Sequence, residues 1–280
     1  MVAHADDQSG RVAGHYDRLD RFYRQLWGEH LHHGLWTDPS FSAGEAVRHL
    51  VHRVAAAAHL DEEAQVCDVG CGYGAPARLW AAAYGAEVVG FTVSEAQYHY
   101  ALRQSVEGPE PEYRLRDFLA NDLSDERVDA VVGIESLTHI HDPPAVFREA
   151  ARLLRPGGRL VLCVWMAGLT STEWERRWLL DPICEEGRLT GLPTAVDLHR
   201  WATAAGLRVV QIEDVTSLAR RTWTIVLQRF FQALLTDPSV LRILLDSSAP
   251  DRVFARTLLR IWGAQHVGAL RYGWLVAERD

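Results

Sequence analysis

CDVGCGYGAPARLW, Cys67 to Trp80, is the stretch on which the reading of the chain turns. An apolar run ends at Asp68-Val69, glycines alternate at 70, 72 and 74, and a segment of helix-forming residues follows. Strand, glycine turn and helix in that order put bare backbone and a helix N-terminus together at the carboxyl edge of a sheet. Ligands dock at such an edge. The spacing is G-x-G-x-G, whereas a dinucleotide site uses G-x-G-x-x-G with an acid closing the next strand. Here that strand, EVVGFTVS, reaches Phe91-Thr92, and Glu87 stands at its wrong end. NAD is disfavoured.

Working outward, strands are expected at Gln65–Val69, Glu87–Phe91, Tyr113–Arg116, Val128–Ile134 and Arg159–Trp165. Helical stretches such as APARLWAAAYG and AVFREAARLLR separate several of them, the second stopped by Pro156-Gly157-Gly158. Alternation of this kind gives parallel pairing through right-handed crossovers, an α/β sheet covered on both faces. Leu207–Ile212 and Tyr272–Ala277 read as two more strands, with a helix over Ala195–Ala205. Upstream, residues 14–36 have helical spacing ending at Gly34, and Gly44–Leu60 forms an amphipathic helix capped by Ser42 and Glu45. Residues 218–268 are helical in pattern and too long for a loop. The expected organisation is a helical segment over 1–60, an α/β core over 61–217, a cap over 218–268 and a last core strand over 269–280.

Composition narrows the function classes. The chain has 280 residues, 48% of them hydrophobic and 24% charged, as in an ordinary globular protein. A net charge of −8 argues against nucleic acid. Every cationic side chain is Arg; with so much Ala, this fits a GC-rich bacterial coding bias. The polar, acidic start MVAHADDQSG is no signal peptide, and no apolar run reaches the ~18 residues of a membrane span. The four cysteines, mostly in apolar surroundings, read as reduced thiols of a cytoplasmic protein.

After the fourth strand comes IESLTHIHDPP, which gathers Glu135, His139, His141 and Asp142. A metal site, an acid/base site and a solvated loop compete. Zinc sites need three or four convergent ligands, and no Cys or His pair here has finger spacing.

The motifs DVGCGYG, GFTVSEAQ, Arg116-Asp117, IESLTHI and ARLLRPGGRLVL, in this order, resemble the class I S-adenosylmethionine-dependent methyltransferases. The chain looks like the branch that holds tocopherol methyltransferases, cyclopropane-fatty-acid synthases and bacterial enzymes that methylate natural products. HYDRLDRFYRQLWGEHLHHGLW is similar to that branch's N-terminal segment. The resemblance implies a Rossmann-like sheet of seven strands with a helical cap before the last. It also implies S-adenosylmethionine as cofactor, held by Asp68, Gly70 and Gly72 at the methionine and ribose, by Thr92, Val93 and Gln97 at the ribose and adenine, and by Asp117 and Phe118 at the adenine. Tyr16, Tyr23 and His30 would close over it.

His139 matches the base of related O-methyltransferases, an imidazole suited to removing one proton. Glu135 would position a reactant or stabilise a cationic intermediate. Where some relatives set an Asp beside the histidine, this chain has Val164 and Trp165. The expected acceptor is a small, largely apolar metabolite, methylated on oxygen or carbon in a pocket walled by Trp165, Met166 and the cap with Trp223. A cyclase or isomerase using the cofactor structurally, and a non-catalytic binding protein, are the rivals. Self-association is left open.

Overall fold

The computed structural model describes residues 2–236 and 254–280. Helix α1 (Val2–Trp27) and α2 (Ala43–Ala57) precede β1 (Gln65–Val69). Then α3 (Ala75–Tyr84), β2 (Glu87–Thr92), α4 (Glu95–Ala101), β3 (Glu112–Leu115), β4 (Val128–Ile134), α5 (Pro143–Leu153) and β5 (Leu154–Ala167) follow. The last third holds α6 (Glu173–Glu175), α7 (Asp181–Gly187), α8 (Ala195–Ala204), β6 (Leu207–Asp214), α9 (Thr216–Ala219), α10 (Arg221–Thr236), α11 (Phe254–Val267) and β7 (Leu270–Arg279).

The seven strands form one sheet in the order β3-β2-β1-β4-β5-β7-β6. The first five run parallel, and β7 is antiparallel to both β5 and β6. Central strands such as β4 are buried on both faces, hence the unbroken apolar run VDAVVGI. One apolar cluster, with Leu50, Val51 and Trp80, lies against one face; another, with Phe147, Leu153 and Leu198, lies against the other. Leu180, Ile183, Phe230, Leu258 and Ile261 make a third cluster, the core of the cap.

Register aligns the strand ends. Val69 pairs with Phe91, Thr92 with Leu115 and Ile134 with Cys163. Gly70, Val93, Arg116 and Glu135, each one residue beyond its strand, therefore share one edge. The expected capping box of α2 is present: Glu45 N–H donates to Ser42 Oγ, and the Ser42 N–H to Glu45 Oε2. The helix expected to reach Gly34 stops at Trp27. Gly28 has φ +82°, and the Leu35 and Trp36 amides bond to Ala46 and Leu218 carbonyls. Histidine and aromatic spacing there imitates a helix, while the chain runs across the sheet edge. Helices α9, α10 and α11 stand between β6 and β7, and residues 237–253 of the expected cap fall outside the described residues.

Candidate active site

A cavity of about 550 Å³ opens along this edge. Its cofactor half has the glycine turn as floor. Gly70 carries φ +75°, and a Cβ there would come within 2.5 Å of Ser136 Cβ, so only glycine lets the β1 and β4 loops meet. Gly72 (φ +56°) faces open space. That bare backbone, at the head of α3, is a cradle a side chain would fill.

Asp68 is 2% exposed, and its Oδ2 has no hydrogen-bond partner among the described residues. Burial pushes its carboxyl up to about 7. A buried oxygen without a donor, beside a glycine cradle, fits a ligand that brings its own N–H or O–H. Thr92, Val93 and Gln97 line the next stretch, with the Thr92 hydroxyl 2.9 Å from Gln97 Oε1. Ser94 caps α4. Asp117 Oδ1 accepts from Leu119 N–H, and its Oδ2 accepts from Ser9 of α1 at 2.5 Å. Phe118 packs edge-on to Phe91 at 5.9 Å. These residue types and positions suit the three parts of S-adenosylmethionine: a charged amino acid end, a ribose and an aromatic base.

At the far end of the sheet edge, Glu135 sits at φ +62°, a backbone conformation that costs a non-glycine residue energy. Its carboxylate compensates with four donors. Oε1 accepts from the His33 amide (2.6 Å), the His33 imidazole Nδ1 (2.8 Å) and the Tyr272 hydroxyl (2.8 Å), and Oε2 accepts from Trp165 Nε1 (2.9 Å). Burial works to raise this carboxyl; the imidazole and amide of His33, with His32 behind, outweigh it and hold it well below the usual carboxylate range.

The tautomers follow from donors that have no choice. Trp223 Nε1 donates to His33 Nε2 at 2.7 Å, so the His33 proton is on Nδ1 and points at Glu135. His32 Nδ1 donates to the His33 carbonyl at 2.9 Å, so its Nε2 accepts from His30 Nδ1 at 3.1 Å. Burial, then its histidine neighbour and two arginines, lowers His30 to about 3. His32 and His33 line the cavity. His30 is not among the lining residues; it stands behind His32.

His139 closes a short turn after β4 and lines the cavity. Its Nε2 is 3.1 Å from the Tyr16 hydroxyl, so α1 supplies the contact that no fifth-strand carboxylate makes. Among the described residues no side chain or main-chain group pairs with its Nδ1. Burial lowers His139 to about 4, against an upward pull from the Arg188 main chain and Glu135. His15 next door is lowered to about 4 by burial, then by His139, Arg188 and Arg18. The phenol of Tyr16 is raised by burial and by Glu135. His141 is exposed, and Asp142 caps α5 through Ala145 N–H at 3.1 Å. The side chain of Tyr23 lies outside the described residues.

Trp165 and Trp223 wall the acceptor half, their rings 5.7 Å apart, with Trp27 5.6 Å from Trp223. Met166 does not join them. Neighbours on a strand face opposite ways, and Met166 is buried in the cluster on the other side of the sheet, against Gly273. Sequence reasoning missed His33 and the stretch 183–189, of which Ile183 and Leu189 line the cavity. The Thr172–Glu175 capping box announced the latter; His33 had no local signal.

Residues 41–212 match the family described as Methyltransferase domain. A 27-O-demethylrifamycin SV methyltransferase of Amycolatopsis mediterranei is 32% identical over 84% of this chain and 96% of its own. Among solved structures, a mycolic acid cyclopropane synthase complexed with S-adenosylhomocysteine superposes with TM-score 0.85 at 20% identity, over 97% of this chain and 98% of the other. The cyclase SpnF superposes with TM-score 0.78 at 24% identity, over 97% and 96%. Those two show the shared fold. With the matched family covering well over half of the sequence, the chain belongs to the S-adenosylmethionine-dependent methyltransferases.

Proposed function

We propose that this enzyme methylates a small, largely apolar metabolite of bacterial secondary metabolism, with His139 as the group that takes the acceptor's proton. When bound, S-adenosylmethionine supplies an electrophilic methyl group. The chain's own residues do the rest: Asp68, Gly70 and Gly72 hold the amino acid and ribose end, Thr92, Val93 and Gln97 the ribose and adenine, and Asp117 with Phe118 the adenine. Trp165, Trp223 and the cap exclude water and align the acceptor. Glu135 is a positioning group, since four protein donors already hold its carboxylate, three of them on Oε1.

One observation carries the reading: a neutral imidazole, His139, lines the same cavity as the glycine cradle, at the end where Trp165 and Trp223 begin the apolar wall. The relative from Amycolatopsis, named for a demethylrifamycin, supports a natural-product acceptor. Among the described residues no helix is long and apolar enough to cross a membrane. The test is His139→Ala in an enzyme assayed with the acceptor recovered from the purified protein. Turnover should fall about 10²–10⁴-fold with cofactor affinity kept, the usual worth of a positioned base. Full turnover with normal cofactor binding would remove the assignment.

A further inference from the structure

His139 is held from two sides. Tyr16 of α1 reaches its ring, and the main chain that carries it is gripped by a residue beyond α7. Helix α7 ends in a reversal of the kind glycine usually makes. Arg188 takes the left-handed conformation there at φ +57°, with the Leu189 amide bonding to the Cys184 carbonyl at 2.9 Å and the Arg188 amide to that of Glu185 at 3.4 Å. A backbone so strained for arginine marks a place where the path of the chain matters. The reversal brings Thr190 onto the turn after β4. The Thr190 amide donates to the Thr138 carbonyl at 2.7 Å, and its hydroxyl stands 3.0 Å from the carbonyls of both Thr138 and Ile140. Those two carbonyls flank His139. The His139 and Ile140 amides bond in turn to the Ser136 and Leu137 carbonyls, so hydrogen bonds fix the peptide on each side of the imidazole.

Thr190 is exposed and does not line the cavity, whereas Ile183 and Leu189 of the same segment do, and both pack in the cap cluster. Part of the acceptor wall and the base are thus tied together at Thr190. We infer, building on the assignment of His139 as base above, that Thr190 is a positioning residue for that imidazole: its amide and hydroxyl hold the turn where the ring can reach the acceptor. Thr190 moves no proton and touches no reactant. Proton transfer needs heavy atoms near hydrogen-bond distance, and a displacement of about 1 Å can cost about 10²-fold in rate. A loosened turn would also admit water to the ring. Burial is the main cause of the lowered proton affinity of His139, so hydration raises that affinity.

The test uses protein labelled at the histidine ring carbon, saturated with S-adenosylhomocysteine and followed by NMR from pH 8 to pH 5. The His139 signal is the one lost in His139→Ala. At pH 5 about a tenth of wild-type His139 is protonated, given its value of about 4. Thr190→Val keeps the size and the amide but loses the hydroxyl; it should raise that share to about half or more, and Thr190→Ser should match the wild type. With the acceptor recovered from the purified protein, kcat of Thr190→Val should fall about tenfold while KM and S-adenosylhomocysteine affinity hold. Added to His139→Ala, Thr190→Val should cost nothing further. A His139 signal that titrates alike in wild type and Thr190→Val overturns the inference, as does a loss of turnover that recurs in the His139→Ala background. Wild-type protein decides if the variants do not fold: a Thr190 amide that exchanges hydrogen as fast as an unbonded one means the clasp is absent. Full turnover of His139→Ala would strike the base assignment instead, and the NMR comparison would still decide whether Thr190 holds the ring.

Discussion

Cofactor affinity should depend on pH through Asp68. Its carboxyl is buried with one oxygen unpartnered, and burial has moved it from 3.8 to about 7. Keeping it ionised in the ligand-free protein therefore costs about 4 kcal/mol at alkaline pH, at 1.36 kcal/mol per pH unit. The sign is that of a raised folded pKa: stability from this group is complete below about 3.8 and is lost as pH rises through about 7. A ligand ammonium or hydroxyl that binds the ionised carboxylate recovers that cost. Binding then draws on the ionised fraction alone, about half the molecules at pH 7 and roughly a tenth at pH 6, so the apparent Kd weakens about tenfold between pH 8 and pH 6. Calorimetric titration with S-adenosylhomocysteine across that range, in buffers of different ionisation enthalpy, measures both the Kd and the proton released. Asp68→Asn should bind weakly with a flat profile. A wild-type Kd that stays constant from pH 6 to pH 8, with no proton release, refutes the placement of the ligand against Asp68.

Gly70→Ala places a methyl group 2.5 Å from Ser136 and forces φ +75° on an L residue. The strain alone is about 1–2 kcal/mol, and cofactor affinity should fall at least tenfold; an unchanged Kd by the same titration contradicts the cradle. The histidines that burial holds neutral predict acid lability of the free protein. His15 and His139, lowered from 6.5 to about 4, each contribute about 3 kcal/mol that is present above pH 6.5 and lost as pH falls toward 4. Asp68 opposes them over the same interval, so the fall in Tm is steeper in Asp68→Asn than in wild type; parallel curves would speak against it. Met166→Ala should cost about 2–5 kcal/mol of stability and leave turnover of the folded enzyme unchanged, because Met166 packs on the far face of the sheet. Trp165→Ala should lower turnover; the reverse pattern in the two variants would mean that the faces are misassigned.

What was legible in the sequence is what is local. The glycine spacing of 70, 72 and 74, the apolar strands and the capping boxes each carry their meaning within a few residues, so the sheet and its binding edge could be read directly. Ser42 with Glu45 is such a case. The Glu135 network is not. His33 meets Glu135 across 102 positions and Trp223 across 190, and nothing near His33 distinguishes it from His30 or His32. Which of the three histidines faces the cavity depends on where the chain leaves α1 at Gly28, which the helical spacing concealed. Trp165 and Met166 show a similar limit: both are apolar residues late in one strand, and only the sheet's twofold alternation separates a pocket wall from the core behind it.

Hydrogen–deuterium exchange with and without S-adenosylhomocysteine tests the site most directly. If the ligand lies across the ends of β1 to β4, four separated segments gain protection together: 68–74, 91–97, 116–118 and 134–139. Protection confined to the cap, or absent from the glycine turn while the ligand is bound, would contradict the account.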